Sequence, residues 1–412
     1  MQKYYAKIST ILLLLLVPGY VCAQTHSPYV IDLINPVIEE IPMSRLFSNV
    51  ELIQLEPSPK LAKRTVFYLS DSYIIAANIF DNVFAFNRVS GKYEKEISKQ
   101  GVGEDEYLHM PVFLFGFDEE NDLFFFDNKQ QWKAVSIQSN KTVAKITKPR
   151  EQFTLPDKES PRQGQAFNNN QDKGWKHGTI FNPWNLGNGK YAGFVNNSTG
   201  NIDVTFVIFD QAGNVLRSFR NTRKYEKNSV SNILNPGQFY KYKGQTYLKE
   251  YLYNDTVFLL NDEKLVPHIL FDTGDKQLPY ESLRYELDNN YDNKYHITFV
   301  QETNSYIFFN YLLYHQPDEK NILFSGYYEK SSGKTFVCEA KDAQGGFTDD
   351  LNGLSSFNPL YITRNEELIG KISSDLLVQH TENDHLSVLG QTILENRNGS
   401  GNPVIIIARL RN

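Results

Sequence analysis

The stretch that decides the fold is TVFYLSDSYIIAANIFDNVFAFNRVSGKYEKEIS, residues 65–98, in which short apolar runs alternate with polar turns. Residues 73–77 and 83–86 are the clearest runs, and Asp, Asn, Ser and Gly fill the positions around them. Such runs, rich in aromatic and β-branched residues and bounded by turn formers, are typical of β-strands and lack the period of a helix. The stretch therefore predicts a unit of short strands that each turn back on the strand before.

The same loose unit recurs along the chain, and further copies begin near residues 111, 180, 238, 295 and 357. The clearest strands in these copies are residues 123–126, 204–209, 256–260 and 306–311. A spacing of roughly 45 to 70 residues fits four-stranded propeller blades with loops of variable length. We predict an all-β fold, a six-bladed β-propeller of four-stranded antiparallel blades.

The two ends of the repeat region carry the strands that would close the ring. An open ring leaves a sheet edge with unpaired backbone groups, so closure is required. NVELIQLE (residues 49–56) and NPVIIIARL (residues 402–410) both have strand character. We predict that the N-terminal strand completes the last blade, and that a short helix forms between residues 374 and 396, where leucines recur at helical spacing.

The first 23 residues have the pattern of a signal peptide. Basic residues precede an apolar run over residues 8–17, which is too short for a membrane-spanning anchor. Val21 and Ala23 stand at the positions where signal peptidase requires small residues, so we place the cut before Gln24. The expected mature chain, residues 24–412, forms a single propeller domain.

Cys22 allows a second interpretation of the N-terminus. A cysteine directly after an apolar run can be lipidated in bacteria, which would anchor the protein in the outer membrane. Lipidation favours small residues before the cysteine, whereas Tyr20 and Val21 stand there. We expect export to the periplasm or the extracellular space, with an outer-membrane lipoprotein through Cys22 as the alternative.

Composition argues against nucleic-acid and membrane-spanning roles. The formal net charge is −6 with a pI near 5.8, and no cluster of Lys and Arg offers the basic surface that phosphate binding needs. After the signal peptide no run approaches the ~18 to 20 apolar residues of a membrane helix. Cys338 would be the one cysteine of the mature chain, so no internal disulfide is expected.

Three stretches carry a likeness to a known family: IPMSRLFSNVELIQLEP (residues 41–57), KQGVGEDEYLHMPVFLFGFDEENDLFFFD (residues 99–127) and YNDTVFLLNDEKLVP (residues 253–267). They resemble the secreted six-bladed β-propellers of Bacteroidales-type Gram-negative bacteria, and Asn402 and Pro403 before the last apolar run are similar too. Members often have a proline where this chain has Glu104, and many carry a lipidation cysteine. The resemblance implies the fold and export and brings no catalytic residues, since the family is mostly uncharacterised.

No motif in the sequence predicts catalysis or a cofactor. Acidic residues follow Gly101 and Gly103 and would repel a phosphate, so we expect a tight turn between blades there. The eight histidines lack metal-ligand spacing such as His-Glu-x-x-His. Acidic runs such as residues 118–122 could hold calcium, but the EF-hand pattern is absent and we expect solvent-facing turns. Calcium bound by residues from separate blades stays open.

Residues 149–178 are polar, rich in Gln, Asn and Pro, and without alternation, which predicts a long irregular loop. Trp175, His177 and Trp184 lie in this loop or just after it. Exposed tryptophans can stack on sugar rings or anchor a peptide, so these residues are the candidate ligand-binding set. Packing inside a blade is the competing interpretation for Trp184.

Two functions are compatible with these features. The leading one is a non-enzymatic binding or scaffold module of the cell envelope that holds a glycan, a peptide or a partner protein on one propeller face. The alternative is a hydrolase or lyase that acts on a carbohydrate or lactone in the central channel, because the fold alone excludes neither. A cluster of acidic or His side chains on the axis would distinguish them.

Overall fold

The structure is a computed structural model that describes residues 27–411. Internal segments outside the description are residues 64, 79–81, 108–115, 129, 150–179, 181–182, 198–201, 223, 225–236, 251–253, 262–263, 280–290, 315–320, 343, 380–385 and 397–400. The signal peptide, Cys22 and the predicted loop over residues 149–178 therefore lie outside the described residues, except for Pro149 itself.

The described chain begins with an N-terminal segment and then builds three blades. The N-terminal elements are β1 (Tyr29–Asp32), β2 (Val37–Ile38), α1 (Met43–Leu46) and β3 (Phe47–Gln54). Blade 1 consists of β4 (Val66–Leu69), β5 (Tyr73–Ala77), β6 (Val83–Asn87) and β7 (Tyr93–Glu96). Blade 2 consists of β8 (Gly116–Asp118), β9 (Leu123–Asn128), β10 (Gln131–Ser136) and β11 (Lys141–Thr147). Blade 3 consists of β12 (Trp184–Gly187), β13 (Lys190–Phe194), β14 (Val204–Asp210) and β15 (Val215–Arg220).

The second half of the chain builds the other three blades. Blade 4 consists of β16 (Gly237–Tyr242), β17 (Gln245–Glu250), β18 (Thr256–Asn261) and β19 (Lys264–Asp272), followed by a 3₁₀ turn (Gly274–Lys276). Blade 5 consists of β20 (Tyr295–Glu302), β21 (Tyr306–Leu313), β22 (Ile322–Glu329) and β23 (Lys334–Glu339). Blade 6 takes β24 (Tyr361–Ile362), β25 (Glu367–Ile372) and β26 (Val404–Leu410), and α2 (Ser374–Gln379) and α3 (Val388–Glu395) lie between β25 and β26.

The six antiparallel sheets confirm the predicted six-bladed β-propeller. Each predicted copy begins within a few residues of the first strand of a blade, and all six of the clearest predicted strands are strands. Because neighbouring strands are antiparallel, the turns between strands one and two and between strands three and four of every blade lie on one face. We call this the short-turn face, and the connections between blades lie on the other.

The ring closes as the sequence predicts. β3 pairs antiparallel with β26 and is the fourth strand of blade 6. Asn402 fixes the chain that leaves β3, since its Oδ1 accepts from the Leu61 N–H at 2.8 Å and its Nδ2 donates to the carbonyls of Glu56 and Pro59 at 2.6 and 2.8 Å. The residue that the resemblance singled out is thus a hydrogen-bonding clamp at the closure.

The N-terminal segment also encircles part of the ring, which the sequence did not predict. β1 pairs parallel with β19 at the outer edge of blade 4, and β2 pairs parallel with β23 at the outer edge of blade 5. Ile31 and Leu33 anchor the segment, with 0% and 2% of their surface exposed. β2 has two residues, both exposed, so it lacks any apolar pattern that could predict it.

Apolar side chains fill the spaces between adjacent blades. Phe86 of blade 1 shares a cluster with Ile405 of blade 6, while Ile75 of blade 1 shares another with Phe124 of blade 2. Each sheet is therefore covered on both faces, and β26 has a continuous buried run from Val404 to Ala408 instead of an alternating one. The predicted single helix between residues 374 and 396 is described as two short helices, α2 and α3, with undescribed residues between them.

Candidate functional site

Trp184 is the one member of the predicted ligand-binding set in the described part of the chain, because Trp175 and His177 lie outside it. It is the first residue of β12, the inner strand of blade 3, and is partly buried. Its ring stacks on Phe239 of blade 4 with 5.7 Å between centroids, and its Nε1 donates to the Thr246 hydroxyl at 3.3 Å. Trp184 therefore joins blades 3 and 4, consistent with the packing interpretation, and it contacts a residue that lines a surface cleft.

A cleft of about 300 Å³ lies between blades 3 and 4. We call it the blade 3–4 cleft. Its apolar lining residues are Leu186, Ile208, Leu216, Leu259 and Leu260. Its polar lining residues are Asn188, Gln245, Thr246 and Asn261, and its cationic ones are Lys190 and Arg217. An apolar wall with a few convergent polar groups is the usual composition of a small-molecule site.

Two tight hairpins form the rims of the blade 3–4 cleft. The turn of blade 3 has Asn188 and Gly189 at φ 52° and 70°, and the turn of blade 4 has Lys243 and Gly244 at φ 50° and 71°. Two successive residues with positive φ in a two-residue loop are the signature of a type I′ hairpin, whose twist matches the flanking strands. Both rims are therefore short extensions of the sheets, which holds the cleft open on a rigid frame.

The mouth of the central channel on the short-turn face carries a second cluster, which the turn after β8 organises. Glu119 of blade 2 reaches blade 6, where both its oxygens accept from the Arg364 backbone N–H at 3.0 Å and Oε2 accepts from the Tyr361 hydroxyl at 2.5 Å. Glu120 pairs with Lys241 of blade 4. Because one blade separates blade 2 from each partner, these contacts cross the mouth.

Burial raises the pKa of Glu119, and the hydrogen bonds from Tyr361 and Arg364 only partly oppose this effect. The carboxylate is thus a partly buried group on the axis, which is the feature that favours an enzyme. Its oxygens, however, are engaged by donors of blade 6, and the Arg364 guanidinium is paired with Asp71 of blade 1 at 2.6 Å. The arrangement is that of a crosslink between blades.

We expect Glu119→Gln to change how stability depends on pH. A raised pKa in the folded state means that the stabilising effect of Glu119 is complete below its unfolded value of 4.5 and is lost as pH rises through the folded value. Wild type should therefore lose stability relative to Glu119→Gln between about pH 4 and pH 7. Urea unfolding at both pH values measures this difference.

The matched control for this change is Glu104→Gln, since the Glu104 side chain is 79% exposed. Its unfolding free energy should follow that of wild type at both pH values. A difference between wild type and Glu119→Gln that stays constant with pH would show that the carboxylate is not perturbed by burial.

The acidic run over residues 118–122 corrects one expectation. It forms a turn, but Asp118 is buried, with 7% of its surface exposed, and Glu119 is partly buried. Asp118 accepts from the side-chain amides of Asn121 and Asn185 at 2.8 and 2.6 Å. The run was expected to face solvent because single-sequence reasoning gives no information on which turns meet at the axis. Among the described residues, no group of His, Cys, Asp and Glu is placed to hold a metal ion.

The glycine-rich stretch after β7 is a turn between blades 1 and 2, as expected. Lys133 organises it, because its buried ammonium donates to the carbonyls of Gly103, Glu104 and Glu106 at 2.9, 2.7 and 2.6 Å. Three acceptors satisfy all three donors of the ammonium. The turn has a structural explanation that needs no phosphate.

A buried ionic cluster joins blades 4 and 5. Glu302 has no exposed side-chain surface and accepts from Lys330 Nζ at 2.7 Å, from Tyr240 Oη at 3.1 Å, and contacts His268 Nε2 at 2.8 Å. Tyr29 of β1 covers the cluster, with its ring centroid 5.3 Å from Lys330 Nζ. The N-terminal segment therefore completes the enclosure of this charge.

Sequence reasoning missed the residues of the blade 3–4 cleft. Its rims belong to NLGNGK and YKGQT, which occupy the same first turn in successive copies of the unit. Successive blades are neighbours in a propeller, so equivalent turns of copies three and four had to lie side by side. The repeat thus contained the signal, whereas residue type alone drew attention to tryptophans.

The fold and the ring closure define the class of protein, a six-bladed β-propeller closed by its N-terminal strand. The sequence profile of the family described as a domain of unknown function, DUF4934, matches residues 28–409, and the chain belongs to this family. No functionally curated protein matches the chain. In the described part of the chain, no helix is long and apolar enough to cross a membrane.

Solved structures resemble the fold at low sequence identity. A crystal structure of a "Putative exported protein" from Bacteroides fragilis is 13% identical, with a TM-score of 0.66 over 94% of this chain and 100% of that one. The Pan2 WD40 domain of Neurospora crassa is 10% identical, with a TM-score of 0.38 over 92% and 99% of the two chains. BamB from Moraxella catarrhalis is 9% identical, with a TM-score of 0.38 over 88% and 100%. At these identities the first likeness supports the fold alone.

Proposed function

We propose that this protein is an exported, non-enzymatic binding module of the cell envelope that holds a glycan, a peptide or a segment of a partner protein in the blade 3–4 cleft. The observation that carries the proposal is the cleft itself, about 300 Å³ in volume, with apolar, amide and cationic side chains on a rigid frame. That volume lies at the lower end of the range for small-molecule sites. The ligand is therefore a short molecule or the end of a longer chain.

The position of Trp184 supports the same site. Its indole donates to Thr246, which lines the cleft, so a ligand that contacts Thr246 perturbs the environment of the tryptophan. Trp132 is buried in another cluster, with 1% of its surface exposed. Trp184 is thus a natural reporter for binding.

Export is supported by the signal-peptide pattern of residues 1–23 and by the likeness to an exported protein of Bacteroides fragilis. A rigid propeller with no dependence on disulfides suits a compartment outside the cytoplasm. The lipid-anchored form through Cys22 is the alternative destination of the same module.

The test is thermal melting of residues 24–412 against a panel of oligosaccharides and peptides, each with calcium and with a chelator. A ligand at about a hundred times its Kd stabilises by ~2.7 kcal/mol, which gives a readable shift in Tm. Products of each panel member are assayed in parallel, and turnover would favour the hydrolase or lyase alternative.

A variant that fills the cleft locates the site. Leu216 lines the cleft with 48% of its surface exposed, so Leu216→Tyr should abolish the ligand-induced shift. Val143 occupies an outer strand of blade 2 with 56% exposed, and Val143→Tyr should behave as wild type. The same shift in all three proteins would place the ligand elsewhere, and no shift with any panel member would contradict the proposal.

A further inference from the structure

We propose that the ligand of the blade 3–4 cleft is an acidic oligosaccharide, a sugar chain whose rings carry carboxylates. This inference rests on the proposed function and specifies its ligand. It follows from the charge, the hydrogen-bonding groups and the backbone pairing of the residues that line the cleft.

The lining is cationic within an acidic protein. Lys190 and Arg217 line the cleft, and none of the described lining residues is an Asp or Glu. The whole chain has a formal net charge of −6, so its overall field repels anions while the cleft attracts them. Charge complementarity therefore selects a ligand with carboxylates over a neutral one of the same shape.

The acidic residue opposite Lys190 in the sheet is engaged elsewhere. Asp210 is the cross-strand partner of Lys190, but its two oxygens accept from the backbone and the side-chain amide of Asn214, each at 2.8 Å. No ion pair between Lys190 and Asp210 forms in the part of the chain that the structure describes. The charge of Lys190 is thus available to a ligand at the rim.

Arg217 stands across the sheet face from its apolar neighbours. It lies directly opposite Ile208 on β14, and Ile208 lines the same cleft. A guanidinium presents a planar set of donors that matches a carboxylate in two parallel hydrogen bonds. The ligand's carboxylate and the apolar face of its ring thus meet adjacent side chains.

The hydrogen-bonding groups favour a sugar over a peptide. Asn188, Gln245 and Asn261 each offer an amide donor and acceptor, a combination that can serve hydroxyl groups. A peptide bound as an added strand needs a free sheet edge. The strands β14, β17 and β18 behind the cleft are paired on both sides, so the ligand meets side chains and not an open backbone edge.

The experiment measures the affinity of residues 24–412 for trigalacturonate and for a hyaluronan tetrasaccharide by calorimetry, each beside its neutral methyl ester. We expect the acid form of at least one pair to bind about tenfold tighter than its ester, since a charge-assisted contact is lost in the ester. That advantage should shrink as salt rises from 20 to 300 mM, because screening shortens the Debye length.

Two variants with matched controls test the residues. Lys190→Gln and Arg217→Gln should each weaken the acid form about tenfold and leave the ester unchanged. Arg220→Gln lies on the same exposed strand β15, and Lys92→Gln lies in a turn of blade 1, and neither residue lines the cleft. Both controls should bind as wild type, and all four variants should keep the wild-type Tm without ligand.

Each outcome supports or overturns the inference. Equal binding of acid and ester, or tighter binding of a triglutamate peptide than of either uronate, overturns the assignment to an acidic sugar. Binding of neither uronate overturns it as well, yet leaves the proposed function standing if another panel member shifts Tm in a Leu216-dependent way. A panel without any such ligand removes the proposed function itself, so the two failures are distinguishable.

Discussion

Removal of residues 24–56 from the mature protein is expected to abolish cooperative folding. This deletion takes away β3, leaves β26 as an open edge in blade 6, and removes the buried side chains Ile41, Met43, Leu46, Phe47, Ile53 and Leu55. Each buried side chain of this kind contributes about 1.5 to 3 kcal/mol. Their sum matches the about 5 to 15 kcal/mol by which whole domains are stable. Thermal melting by near-ultraviolet circular dichroism reports the loss.

A shorter deletion is the control for this effect. A protein that begins at residue 41 loses β1 and β2 but keeps β3 and the closure of blade 6. It should still melt cooperatively, at a lower Tm, because it loses the buried side chains of Ile31 and Leu33. A protein that begins at residue 57 and melts like wild type would refute closure by the N-terminal strand.

Glu302→Gln is expected to destabilise the fold by about 3 to 5 kcal/mol at pH 7, because it leaves the Lys330 ammonium buried without its partner. Although burial raises the pKa of Glu302, the hydrogen bond from His268 and the charge of Lys330 lower it further, to below its usual value. The stabilising effect is therefore present above the unfolded value of 4.5 and is lost as pH falls through the folded value. Urea unfolding from pH 7 to pH 3 follows it.

The difference between wild type and Glu302→Gln should consequently shrink below about pH 4.5. Glu104→Gln removes an exposed ion pair with Lys145 and is the matched control, with an expected change of at most ~1 kcal/mol. Glu119→Gln should show the opposite dependence on pH. A Glu302→Gln protein as stable as wild type at pH 7 would show that the cluster contributes no net stability.

Most of the fold was accessible from the sequence because each blade repeats the same physical pattern. The run from residue 73 to residue 77 is a strand with the predicted bounds, and the closing strand was identified from an unpaired edge and two terminal apolar runs. The path of residues 29–38 was not accessible, because Val37 and Ile38 are exposed and pair through backbone groups that any residue carries.

The candidate site was far less accessible, because it is made by contacts between blades. Trp184 was chosen for its residue type and proved to join blades 3 and 4. Lys190 and Arg217 have nothing in their local sequence that marks them, and only the adjacency of the blades places them in one cleft. Glu119 appeared to belong to a solvated turn until its partners across the channel mouth were known.

The most direct test of the binding account is methyl NMR of residues 24–412 titrated with trigalacturonate. Leu186, Ile208, Leu216, Leu259 and Leu260 supply methyl groups along the cleft wall, and Val388 and Ile38 supply exposed methyl groups elsewhere. We predict saturable shift changes concentrated on the cleft methyl groups, with none at Val388 or Ile38. Changes centred on the channel mouth, or spread evenly over the exposed methyl groups, would contradict a ligand site between blades 3 and 4.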